Sequence, residues 1–235
     1  MSAVVITSGG MDSTTAVYWA KHFFENIECM SFDYGQRHVK ELSCAAEIAK
    51  DLGVEHNIVD LTGVNKLIAV SALTNPTIEV PEGHYAEETM KATVVPNRNA
   101  MMLNIGIARA VAIGAEAVVV GVHAGDHAVY PDCRPEFIEL QERTAQVANE
   151  GFIHPEFQLC APFMFMTKAQ IAGLGNELEV PWHKTWTCYK GGEIHCGRCS
   201  TCVERLEAFH LAGVAETTEY EDTLYWREAI AAFDG

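Results

Sequence analysis

The chain has 235 residues, 49% of them hydrophobic and 20% charged, and its 32 acidic against 16 basic side chains give a net charge of −16. That length builds one domain with a sizeable core, and the composition is that of a soluble globular protein rather than a disordered one. The acidic balance repels a phosphate backbone, which argues against a broad tRNA- or DNA-binding surface while leaving room for a local pocket for one nucleotide.

Residues 1–7 carry no basic region, and their apolar run is too short for a signal peptide. No stretch approaches the roughly 20 apolar residues of a membrane span. A cytoplasmic protein without a membrane segment is expected. The β-branched run at residues 3–7 predicts a buried strand, and residues 14–25 a helix. Residues 27–32 read as a second strand, 39–52 as a helix stopped by Gly53, and 54–60 as a third strand. This alternation predicts an α/β fold, a doubly wound parallel sheet. Residues 74–96 hold three prolines and Gly83, so a long loop is expected, of the kind that serves as a lid. A helix at 99–113 closed by Gly114, a strand at 117–122 and a helix at 135–149 follow. A strand at 158–161 and helices at 167–178 and 203–211 complete the pattern. The acidic last fifteen or so residues, with Tyr225 and Trp226, give no structural signal.

Between the first strand and the first helix runs Ser8-Gly9-Gly10-Met11-Asp12-Ser13-Thr14. At the carboxyl end of a parallel strand, such a turn lets backbone N–H groups approach phosphate oxygens, with the helix dipole adding positive character. No lysine follows the glycines, so this is not the Gly-Lys-Ser/Thr phosphate loop, and the third glycine of the dinucleotide fingerprint is missing. A plain helix cap would need only Ser13 or Thr14. The candidate nucleotide-binding stretch runs from Ser8 on through Thr15, Ala16, Val17 and Tyr18. Asp12 supplies a carboxylate suited to Mg²⁺.

Four of the eight cysteines fall within fifteen residues, Cys188-x7-Cys196-x2-Cys199-x2-Cys202. Four thiolates make a closed tetrahedral site with no open position for substrate, so a structural Zn²⁺ is the default reading. An iron–sulfur cluster uses the same ligand type, but its distant cysteine ordinarily comes last, before proline. His183, His195 and His210 lie close by and read as supporting or surface residues.

The segment Ser8 to Ser13 resembles the Ser-Gly-Gly-x-Asp-Ser signature of the PP-loop ATP pyrophosphatases, and with the cysteine cluster the chain resembles the QueC family. Three more segments carry that resemblance: Asp33-Tyr34-Gly35-Gln36-Arg37-His38, Val95-Pro96-Asn97-Arg98-Asn99, and Tyr130-Pro131-Asp132-Cys133-Arg134-Pro135-Glu136-Phe137. It covers residues from about 3 to 205. The resemblance implies a Rossmann-like fold of the adenine-nucleotide alpha-hydrolase kind. Residues 1–180 would form the ATP-binding part, and 181–235 a zinc-binding segment packed on it as one globular unit. It also implies a homodimer that turns 7-carboxy-7-deazaguanine, ammonia and ATP into 7-cyano-7-deazaguanine by adenylating first a carboxylate and then an amide. On that view Ser8 to Thr14 hold ATP phosphates and Mg²⁺, Arg98 or Arg134 pairs with the substrate carboxylate, and Asp132 accepts from the guanine-like edge. Tyr34, Gln36 and Arg37 would line the rim, and Lys168 would contact a phosphate. Competing readings are another PP-loop amidating, adenylating or thiolating enzyme, a variant acting on a protein partner, and a zinc-binding module without catalysis.

Overall fold

Valine and alanine runs with no polar interruption belong at the centre of a sheet covered on both faces, and here they occupy β1 (Ser2–Ile6) and β4 (Ala117–Val119). The structure, a computed structural model, describes residues 1–86 and 90–233. Five parallel strands lie in the order β3-β2-β1-β4-β5, with β2 at Asn26–Asp33, β3 at Glu55–Asp60 and β5 at Gln158–Cys160. The chain winds outward from β1 through β2 to β3, then returns to start β4 on the other side. That reversal opens a crevice beyond the carboxyl ends of β1 and β4.

Successive side chains of β1 point to opposite faces. Ala3 and Val5 pack with Ala16, Val17 and Ala20 of α1 (Met11–Phe23) and Ile171 of α6 (Lys168–Glu177). Val4 turns to the other face and meets Leu103, Ile107 and Ala110 of α4 (Arg98–Ile113). Each fully buried aliphatic side chain contributes about 1.5–3 kcal/mol. α2 (Lys40–Leu52) ends at Gly53 and α4 at Gly114, both left-handed, as the sequence predicts. α6 opens on a capping box, with Thr167 and Gln170 bonding each other's backbone N–H.

The elements differ from expectation in places. α1 begins at Met11 rather than 14, so Asp12 and Ser13 belong to its first turn. β4 stops at Val119, although the Val120 N–H still donates to the Cys160 carbonyl. A short helix α3 (Thr62–Ile68) follows β3. α5 (Pro135–Ala148) falls where predicted, and α7 (Ser200–Ala212) starts three residues early, inside the cysteine run. The acidic end forms α8 (Tyr225–Phe233), which packs on α7 with Trp226 buried. In the expected lid, residues 71–74 are buried, Glu82 bridges to Cys199, and the Gly83 N–H donates to the Arg198 carbonyl, so this segment leans on the cysteine run. Residues 87–89 of it lie outside the described residues.

Candidate functional site

The β1–α1 turn is built for close approach. Gly9 has φ +87°, and a Cβ there would come within 2.2 Å of the Glu41 carbonyl oxygen on α2. Gly10 is the N-cap of α1 and caps it with no side chain, which leaves the opening N–H groups of the helix available to a ligand. Ser13 Oγ accepts the Ser8 N–H at 3.1 Å and lies 3.1 Å from Ser8 Oγ, so the two hydroxyls brace the turn. Gly121, after β4, lies so near that a Cβ would be 3.0 Å from the Asp12 carbonyl oxygen.

A cavity of about 220 Å³ opens over this turn. Ser8, Gly10, Met11, Asp12 and Ser13 line it. Gly9 turns its back to it, against α2. From Thr14 to Tyr18 the helix leaves the cavity: Thr14, Thr15, Ala16 and Val17 are buried within the fold, and Tyr18 packs against the cluster of Trp182 and Phe209. Of the longer stretch expected at the nucleotide, these five side chains thus lie off the cavity, because the helical rotation carries them into the core.

Asp12 is the centre of a charged group. Its Oδ2 takes a hydrogen bond from Lys168 Nζ at 2.7 Å, and Lys168 also meets Glu204 at 3.2 Å and His123 Nε2 at 3.2 Å. Burial alone would raise the Asp12 carboxyl, but Lys168 and then His123 outweigh it and hold it below the usual carboxylate range. Asp12 Oδ1 is buried and has no hydrogen-bond partner among the described residues. An ionised carboxylate with an idle oxygen beside a cavity fits a hard divalent cation. Lys168 is therefore 156 residues along the chain from the loop it braces.

Part of the cavity wall is aromatic. Arg98 lines the cavity with Tyr34, Tyr130 and Tyr189, its guanidinium 5.9 Å from the Tyr130 ring centre, and it has no ion-pair partner among the described residues. Two other predicted site residues lie elsewhere. Asp132 Oδ2 accepts the Asn99 N–H at 3.1 Å, so it caps α4 rather than lining the cavity. Arg134 is exposed, and its Nε donates to the His127 carbonyl at 2.8 Å. Of the expected rim, Tyr34 lines the cavity, Gln36 is buried behind it, and Arg37 donates to the carbonyls of Asn75 and Ile78. Burial pushes the Cys133 thiol up, which suits packing rather than nucleophilic attack.

Sequence reasoning did not reach Glu41, Asp126, Thr187 or Thr201, all of which line the cavity. Thr187 and Thr201 come from the cysteine run and are joined by Thr201 Oγ1 donating to the Thr187 carbonyl at 3.1 Å. A hydroxyl beside a metal-type cysteine was the signal on offer.

The Sγ atoms of Cys188, Cys196, Cys199 and Cys202 are buried and lie within 4.8 Å of one another. Their separations include 4.0, 4.0 and 3.4 Å. A tetrahedron with arms of about 2.3 Å has edges of about 3.8 Å, whereas a disulfide needs about 2.05 Å. Backbone N–H groups of Arg198 and Cys199 point at Cys196 Sγ, as suits a thiolate. This donor set fits one metal ion. His195 is buried and accepts the Thr187 N–H at 3.0 Å, a supporting role, while His183 and His210 are exposed.

Among the described residues no helix is long and apolar enough to cross a membrane. The family model for the queuosine biosynthesis protein QueC matches residues 2–213. The 7-cyano-7-deazaguanine synthase of Rhizobium johnstonii is 52% identical over 99% of this chain and 98% of its own length. That of Paracoccus denitrificans is 49% identical over 98% of each. Among solved structures, NMN synthetase from Francisella tularensis is a distant likeness at 14% identity, covering 96% of this chain and 83% of that one with a TM-score of 0.49. A match that spans nine-tenths of the chain, and relatives alike along nearly all of it, place this protein in the QueC family of queuosine biosynthesis proteins.

Proposed function

We propose that the chain converts 7-carboxy-7-deazaguanine, ammonia and ATP into 7-cyano-7-deazaguanine, releasing AMP and pyrophosphate. The observation that carries this reading is a pair of features lining one cavity: the uncapped turn with Asp12, and Arg98, which has no ion-pair partner among the described residues. The turn grips the departing pyrophosphate through backbone N–H groups. Arg98, a planar fork of donors, holds the substrate carboxylate, a role for which the exposed Arg134 is poorly placed. A carboxylate oxygen and an amide oxygen are both poor leaving groups. Transfer of AMP to each makes departure easy, and the protein positions the reactants and neutralises charge.

Asp12 would hold Mg²⁺, which supplies charge neutralisation on the phosphates. Cys188, Cys196, Cys199 and Cys202 would hold one structural Zn²⁺. Lys168, engaged with two carboxylates, acts on the phosphates through Asp12. The net charge of −16 supports small-molecule substrates over a polynucleotide and fits a cytoplasmic enzyme. The working form is a homodimer, for which the exposed Leu140 and Val147, two turns apart on α5, offer apolar surface; light scattering reads its mass. Incubation with ATP, Mg²⁺, ammonium and the deazaguanine acid, followed by mass spectrometry, tests the reaction. The nitrile mass with AMP is expected, and hydrolysis of ATP with the acid unchanged would overturn the reading.

A further inference from the structure

Glu41, in the first turn of α2, lines the cavity with a side chain only 10% exposed. Its Oε1 accepts from Gln36 Nε2 at 3.1 Å and lies 3.5 Å from His38 Nε2. Gln36 is fixed in turn, because its Nε2 also donates to the Phe32 carbonyl and its Oε1 accepts the Tyr34 N–H. Oε2 takes no hydrogen bond, and no Lys or Arg lies within 4.0 Å of the carboxyl, among the described residues. The other cavity carboxyls differ: Asp12 is paired with Lys168, and Asp126 is 3.6 Å from His123. Glu41 is thus a rigidly held carboxyl with one oxygen free at the site.

The reaction proposed above needs a proton acceptor there. When ammonia attacks the acyl-adenylate, the nitrogen lone pair forms the C–N bond, the C–O bond to AMP breaks, and AMP leaves with that electron pair. The nitrogen is left with one proton too many. We propose that Glu41 Oε2 takes this proton, which makes Glu41 the general base of the nitrogen-transfer step; the assignment rests on the function proposed above. Burial pushes the Glu41 carboxyl up to about 8, against the pull of Gln36 and Arg98, which suits it to accept a proton near neutral pH. The groups facing it are His38 from the preceding loop, Tyr34 beyond β2, Arg98 of α4, and Cys44 one turn on. Burial drives His38 down to about 3 and Tyr34 up to about 12, and raises the Cys44 thiol. Around neutral pH these three stay uncharged, so Glu41 is the group of this set that titrates.

Pyrophosphate exchange with ATP and the acid reads adenylation before any nitrogen enters. A wild-type enzyme that fails to exchange sinks the proposed function and is told apart from a failure of Glu41. With exchange present, Glu41→Gln is expected to hold it within about threefold and to slow amide formation from preformed acyl-adenylate about 100-fold or more. Independently of any variant, single-turnover amide formation by the wild type, per free NH₃, is expected to rise with pH through about 8. A flat wild-type profile overturns the assignment, and so does a Glu41→Gln enzyme that makes amide at the wild-type rate. A variant that loses exchange through a raised KM for the acid makes Glu41 a substrate-binding group and overturns it too.

Discussion

The backbone N–H of Trp186 donates to the carbonyl oxygen of Gly9 at 2.9 Å, which ties the cysteine run to the β1–α1 turn. The same run places Thr187, Tyr189 and Thr201 in the cavity wall. The four cysteines are therefore linked to the cavity through two residues, Trp186 and Thr187, that immediately precede Cys188. Cys199→Ser is expected to lower Tm and to weaken ATP binding at least 10-fold in the folded fraction, since a zinc site lends its binding energy to folding. Metal content by atomic emission together with calorimetric titration of ATP checks this. A metal-free variant that binds ATP like the wild type would separate the two sites.

Asp12→Ala is expected to cut acid-dependent pyrophosphate release about 10²–10³-fold, the scale for losing a preorganised electrostatic group. The fold should survive, because Lys168 keeps Glu204 at 3.2 Å. Release kinetics beside a thermal melt separate the two effects. Near-normal release would remove Asp12 from the phosphate and metal role.

Arg98→Lys keeps the charge and loses the planar fork. Hydrogen bonds to charged groups contribute about 1.5–3 kcal/mol, so KM for the acid should rise about 10- to 100-fold, with KM for ATP within about twofold. Arg134→Lys, by contrast, should leave both constants unchanged, since Arg134 is exposed and spends its Nε on the His127 carbonyl. Steady-state kinetics of the pair test which arginine meets the carboxylate.

The contrast between these arginines shows where the sequence was legible. The Ser8–Ser13 turn, the cysteine spacing and the strand–helix alternation are local patterns, and local patterns survive folding. Arg98 and Arg134 stand in similar loop contexts, and only packing decides that one enters the cavity while the other meets solvent. Asp132 looked like a ligand for a base edge, yet it became a cap for a helix 33 residues away. Lys168 was expected at a phosphate, and its bond to Asp12, 156 residues away, could not be read from the chain; Glu41 gave no signal, because its neighbours at the cavity come from other elements. α3 and α8 were missed because helices of seven and nine residues are marginal on propensity and owe their existence to tertiary contacts, as Trp226 docking on α7 shows.

Arg205 is fully buried in α7, and its Nε meets Glu216 Oε2 at 2.7 Å while its other nitrogens reach Thr185, Thr187, Thr218 and the Trp182 carbonyl. The bonds to Thr185, Thr187 and the Trp182 carbonyl hold the segment that leads into the cavity wall. Burial alone would raise the Glu216 carboxyl, but Arg205 and Thr218 outweigh it and hold it below its ordinary 4.5. With the folded value depressed, the unfolded chain takes up the proton first as pH falls. The contribution of Glu216 is thus complete above about 4.5 and is lost as pH falls through the folded value. Glu216→Gln should flatten that acid loss, and it should also lower stability at neutral pH. Arg205→Met strands a buried carboxylate and is expected to cost about 3–5 kcal/mol, or about 6–20 °C in Tm. Thermal melts of the three proteins from about pH 3 to 7 check both statements; parallel acid profiles for wild type and Glu216→Gln would show that the ion pair contributes nothing to the pH dependence.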